Sequence, residues 1–175
     1  VNGVIEITGN NAVVRGVHFN ADATHTIRFM GASSNATFEN CVFNGGGVAG
    51  RIFWYGGGNH LSGRVTLKNC LVKDYVGHWM LGDLNTGSND ALVALTRVTI
   101  NDNKFENCSG SFAVRGLSSN PIKNVKVKNN VFEHDAAHAS FWDSMEISGG
   151  VLRATISGNK GTIDDPGAKR GFLQI

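Results

Sequence analysis

Asp83, Arg115 and Asp143 stand 32 and 28 residues apart in a chain of 175 residues. An arginine bracketed by carboxylates could act on an acidic sugar polymer. Eliminative cleavage needs a basic group to take the proton beside a uronate carboxylate, and a cation or metal to stabilise the resulting charge. Arg115 would be that base, and Asp83 with Asp143 or Glu146 would hold Ca²⁺, which takes oxygen ligands. Hydrolysis would instead need two carboxylates about 5–10 Å apart, and Asp83 with Asp143 is the candidate pair. Against both stands a plainer expectation: solvated acids and bases recurring at similar intervals, with no cofactor and no catalysis.

A second group of side chains suits binding. Arg28, Arg51, Phe53 and Tyr55 fall on short apolar runs, as do His78, Met80, Arg115 and Trp142. Rings flanked by basic groups fit an acidic polysaccharide, since rings stack on sugar faces and Arg forks grip carboxylates. The apolar members Phe53, Met80, Trp142 and Leu173 would equally form a stripe for a partner chain. A third outcome is that this column points inward and forms core. His134 and His138 are the closest histidine pair, but they precede a strand rather than lying on a helix, so no metal site is expected.

Such residues can meet only if distant segments are brought into register. Charged residues are 17% of the chain and hydrophobic ones 41%, with 23 glycines, 2 prolines and 19 asparagines. That balance excludes a disordered chain and disfavours a helical bundle. The net charge of +2 is too small to suggest nucleic acid, and no apolar run approaches the roughly 20 residues of a membrane span.

One pattern recurs: AVVRGVHF from Ala12, ATFENCVF from Ala36, VTLKNCLV from Val65, VTINDNKF from Val98, VKVKNNVF from Val125 and ATISGNKG from Ala154. The starts lie 24, 29, 33, 27 and 29 residues apart. The fifth position is Gly16, Asn40, Asn69, Asp102, Asn129 or Gly158, all types that enter the left-handed region cheaply. Each copy therefore reads as strand, sharp corner, strand. A second series lies between the copies, near Ile5, Ile27, Ile52, Trp79, Phe112, Phe141 and Phe172. Its expected inward pairs are Ile27/Phe29, Ile52/Trp54, Trp79/Leu81 and Phe112/Val114, and strict alternation fails at Asp143. Two interleaved series with one drifting period make each repeat a full coil of stacked parallel strands.

The corner asparagines and the steps Asn40-Cys41-Val42-Phe43 and Asn129-Asn130-Val131-Phe132 carry a resemblance. On these residues the chain resembles a right-handed single-stranded parallel β-helix of the pectate-lyase-like superfamily: all-β, a solenoid of about six turns, one domain over 1–175. The resemblance implies stacked corner amides and columns of Phe in the interior. A β-sandwich of short strands is the alternative fold, but it does not explain Asn returning at one corner. AVVRGVHF is similar to the opening turn of alginate- and chondroitin-degrading lyases, though no catalytic residue of those families carries over.

Cys41 and Cys70 are expected to stack on successive turns. Their spacing permits a disulfide, but a column of buried thiols is the preferred expectation, with Cys108 left over. The chain opens at Val1 without a signal peptide, as a mature or excised segment would. It begins and ends on strands, so exposed edges predict a homo-oligomer or a part of a longer protein or assembly. Parallel β-helices of this kind occur in phage tailspikes and in secreted polysaccharide-active proteins. The expected role is thus a structural or receptor-binding module outside a virion or cell, contacting glycans or other protein chains. A polysaccharide lyase or related glycan-active domain is the alternative.

Overall fold

A computed structural model describes residues 1–21, 25–47, 51–54, 60–76, 78–82, 94–108, 110–116, 120–134, 145–163 and 173–174. The alternating runs form strands that pair one coil away along the chain, and every described pairing is parallel. The first face stacks β1 (Ile5–Arg15), β3 (His25–Glu39), β6 (His60–Lys68), β9 (Ala94–Asn101), β12 (Asn124–Lys128) and β15 (Ala154–Ser157) in that order. The second stacks β2 (His18–Asn20), β4 (Val42–Asn44), β7 (Leu71–Lys73), β10 (Lys104–Glu106), β13 (Val131–His134) and β16 (Lys160–Ile163). The third contains β8 (His78–Gly82), β11 (Gly110–Gly116), β14 (Met145–Gly149) and β17 (Leu173–Gln174), while β5 (Arg51–Trp54) pairs with β3. This is a parallel β-solenoid, and the antiparallel pairing of a sandwich is not what these strands do.

Ala12, Ala36, Val65, Val98, Val125 and Ala154 lie in one register, so the sequence repeat is the structural one. The corner residues Asn40, Asn69, Asp102 and Asn129 have φ of 54°, 51°, 60° and 55°, with Gly16 and Gly158 at 65° and 66°. Asn and Asp tolerate this region better than other side chains, which explains their return at each corner. Asn69 Nδ2 donates to Asn40 Oδ1 at 2.6 Å, and Asn129 Nδ2 to Asp102 Oδ1 at 3.2 Å. A second corner, at Asp74 and Asn107, also takes positive φ (59° and 50°).

The corner side chains are exposed, however, and the buried ladder runs through the next residue. Asn103 and Asn130 are buried there. Asn130 Oδ1 accepts from the Asn103 backbone N–H and from Asn103 Nδ2, both at 3.0 Å. Asn130 Nδ2 donates to the Ile100 carbonyl and to Asn159 Oδ1, both at 2.9 Å. Asn103 in turn donates to the Leu67 carbonyl and accepts from the Cys70 N–H. The hydrogen bonds to buried backbone are thus made by this inner column rather than by the corner residues, because the left-handed residue turns its successor into the core.

Cys70 and Cys41 extend the inner column, with the Cys41 N–H donating to Cys70 Sγ at 3.4 Å. Cys41, Cys70 and Cys108 are free and buried. Burial pushes the thiols of Cys70 and Cys108 up to about 12 from an ordinary 9.0. Native protein at pH 8 is therefore expected to resist alkylation at these positions and to label fully once denatured, as mass spectrometry would read. The raised values also set a direction for stability. Above about pH 9 the unfolded thiols lose protons that the folded ones keep, so stability falls as pH rises from there.

Phe rings fill the interior. Phe19 stacks on Phe43 at 5.0 Å and Phe105 on Phe132 at 4.8 Å. Ile27/Phe29 and Phe112/Val114 point inward as expected. The expected frame fails at β5. Phe53 is in register with Ile27 and is 1% exposed, so it belongs to the core rather than to an outward binding column. Ile52 is buried as well, so strict alternation does not hold in this four-residue strand. The segment that follows Phe112 in the third face is Met145–Gly149, not the run near Phe141. Leu173 correspondingly aligns with Met145 in backbone register.

Candidate functional site

The third face carries the described part of the expected site. Ala113 is in register with Met80 on one side and Glu146 on the other, while Arg115 lies between Gly82 and Ser148. Arg115 reaches across one rung to Glu146, with Nε donating to Oε1 at 2.6 Å and Nη2 to Oε2 at 2.5 Å. Ser148 Oγ donates to Glu146 Oε1 at 2.7 Å. Glu146 is 7% exposed, so this forked pair supplies the hydrogen bonds a buried carboxylate requires. Glu146 was expected only as a Ca²⁺ ligand. Among the described residues its two oxygens accept from the Arg115 guanidinium and the Ser148 hydroxyl, while Asp83 and Asp143 lie outside the described residues.

Arg115→Met is expected to cost about 2 kcal/mol in urea denaturation, because it strips the partner from a buried carboxylate. The figure sits below that of a fully buried pair because the Arg115 side chain is 29% exposed. Adding Glu146→Met should recover part of the loss, since removing both charges leaves nothing unpaired.

The other expected residues divide. Arg28 donates to Glu6 Oε1 at 3.2 Å on the outer side of β3. Arg51 lies in β5, and His78 and Met80 lie in β8, with their side chains outside the described ones. Tyr55, Asp83, Trp142 and Asp143 lie outside the described residues, as does His138. The structure thus brings Arg115 and Glu146 together and takes Phe53 out of the set. Among the described residues no group of three or more His, Cys, Asp or Glu could hold a metal ion. Nor is any described helix long and apolar enough to cross a membrane.

Sequence reasoning passed over the corner that feeds the first face. A groove of about 630 Å³ opens there, lined by Asn35, Arg64, Thr96, Arg97, Lys123, Asn124 and Arg153. Asn35, Arg64, Arg97, Asn124 and Arg153 immediately precede the register positions Ala36, Val65, Val98, Val125 and Ala154, so the same repeat that builds the core stacks them. The signal was available as the basic residue five positions before the corners at Asn69, Asp102 and Gly158, namely Arg64, Arg97 and Arg153, with Lys123 beside that column.

Stacked parallel faces, positive-φ corners and an interior amide ladder define the parallel β-solenoid class. The family described as right handed beta helix region matches residues 1–163, and the chain belongs to it. Neither curated proteins nor solved structures yield a match.

Proposed function

We propose that this chain is a structural or receptor-binding β-helix module on the exterior of a virion or cell, contacting polysaccharide or other protein chains. The observation that carries this reading over catalysis is the Arg115–Glu146 fork. A lyase base must accept a proton, and a guanidinium held by a carboxylate at 2.6 Å is charged and engaged. The side chain with the best claim to be the base is thereby part of the wall of the solenoid. Rigid stacked faces, with outward side chains set by backbone register, supply a preorganised contact surface at little entropic cost.

Mixing the protein with alginate, pectate and chondroitin sulfate while following absorbance near 235 nm tests the reading. Retained binding without unsaturated product is the expected result. Product growing with time would establish the alternative, a polysaccharide lyase.

A further inference from the structure

The groove at the entrance to the first face is a column of cations. Arg64 and Arg97 are direct register partners, Arg97 is followed by Asn124, and the Arg153 carbonyl accepts from the Val125 N–H on the last rung. Lys123 adds a further charge beside Asn124. At about 4.8 Å per rung the column from Arg64 to Arg153 is about 14 Å long. All four basic side chains are exposed.

Elsewhere the arginines with described side chains are neutralised: Arg15 by Glu39, Arg28 by Glu6 and Arg115 by Glu146. Lys104 on the second face is held between Glu106 and Glu133. Among the described residues the groove cations have no such partner, and no carboxylate lines the groove. Like charges on adjacent rungs repel, a cost neutral side chains avoid. The neighbouring outward column shows the neutral solution, with Thr37, Thr66 and Thr99 stacked in register. Repulsion concentrated in one groove is relieved when an anion with repeating charge lies along it.

We infer that this groove binds a linear acidic polysaccharide lying along the solenoid axis, its carboxylates or sulfates taken by Arg64, Arg97, Lys123 and Arg153. The inference rests on the glycan-contact reading above and gives it a place and a ligand class. Arg forks suit either oxyanion, while the exposed Thr96 hydroxyl, which donates to the Gly63 carbonyl, keeps its acceptor capacity for a sugar hydroxyl. Among the described residues no aromatic ring lines the groove, so they provide no stacking platform of the kind a single-stranded nucleic acid would use.

The test uses the whole chain titrated with alginate, dextran sulfate, neutral dextran and a poly-dT oligonucleotide, by calorimetry at two salt concentrations. The variant is Arg97→Glu with Arg153→Glu, at exposed positions, and the control is Lys160→Glu, exposed and outside the groove. Circular dichroism and melting verify that each folds. Binding to alginate, dextran sulfate or both is expected, with neutral dextran inert. The double variant should lose at least about tenfold in affinity, the control should match wild type, and affinity should drop steeply with salt. Alginate binding alone assigns carboxylates, and dextran sulfate binding alone assigns sulfates. Polysaccharide binding unchanged in the double variant overturns the groove while leaving glycan contact standing. Failure to bind any of the polymers removes both. Tighter binding to poly-dT than to either acidic polysaccharide overturns the ligand class.

Discussion

Asn130→Leu is expected to lower stability by about 3–5 kcal/mol, which in a chain of this length moves the melting midpoint by roughly 10 °C. The side chain is 0% exposed and makes hydrogen bonds in two directions along the stack. Its loss leaves the Asn103 backbone N–H without an acceptor and the Ile100 carbonyl without this donor, both inside the coil. Leucine is close in volume, so the change reads hydrogen bonding more than packing. Asn69→Gly, one column outward, should cost less than about 1 kcal/mol, because glycine keeps the left-handed turn and, among the described residues, the exposed Asn69 side chain bonds only to the exposed Asn40 amide. Thermal melts of the two variants side by side decide the matter. Equal midpoints would mean that the inner ladder contributes no more than the outer one.

Phe53→Ala should cost about 3–5 kcal/mol, as truncation of a core ring does, with a sharp fall in melting temperature. Its ring packs against Phe29 at 5.6 Å and Phe38 at 5.3 Å, joining the first face to β5. An outward ring would behave in the opposite way, weakening binding and leaving the melt nearly unchanged. Equilibrium denaturation in urea separates these outcomes directly.

The coil itself was legible because its period is written in residues that backbone geometry demands. Only a few types accept positive φ, so Asn40, Asn69, Asp102 and Asn129 mark the corner wherever it occurs. What happens just beyond a corner was not legible. A left-handed residue breaks the two-residue alternation, so the phase of the strand before it says nothing about the strand after it. Asn129 and Asn130 are chemically identical neighbours, and only the turn decides which one is buried. Spacing failed for a related reason at the third face. Phe141 and Met145 lie 29 and 33 residues beyond Phe112, both within the drift of the repeat, and register chooses Met145. In β5, four residues are too few to reveal a phase. The site was less legible than the fold, because Arg115 and Glu146 are 31 residues apart and nothing local marks them as a pair. The basic groove was visible in principle, but only when Arg64, Arg97 and Arg153 are aligned by their distance from the corner.

The first-face register joins residues 24, 29, 33, 27 and 29 positions apart, whatever their place in the chain. Each new rung therefore closes a loop of similar size and faces a similar entropic hurdle, since closure entropy varies only slowly with length. A rung also has little to dock on except the rung already formed, so order grows as a front moving along the axis. Folding of this kind is slow to start and processive once begun, because the first pair of coils meets that hurdle with the fewest contacts in return. Loss of structure runs the same route backwards, peeling from the ends inward. Amide exchange should accordingly be graded by distance from the nearer end of the stack, with the slowest protons in β6 and β9, midway along the coil.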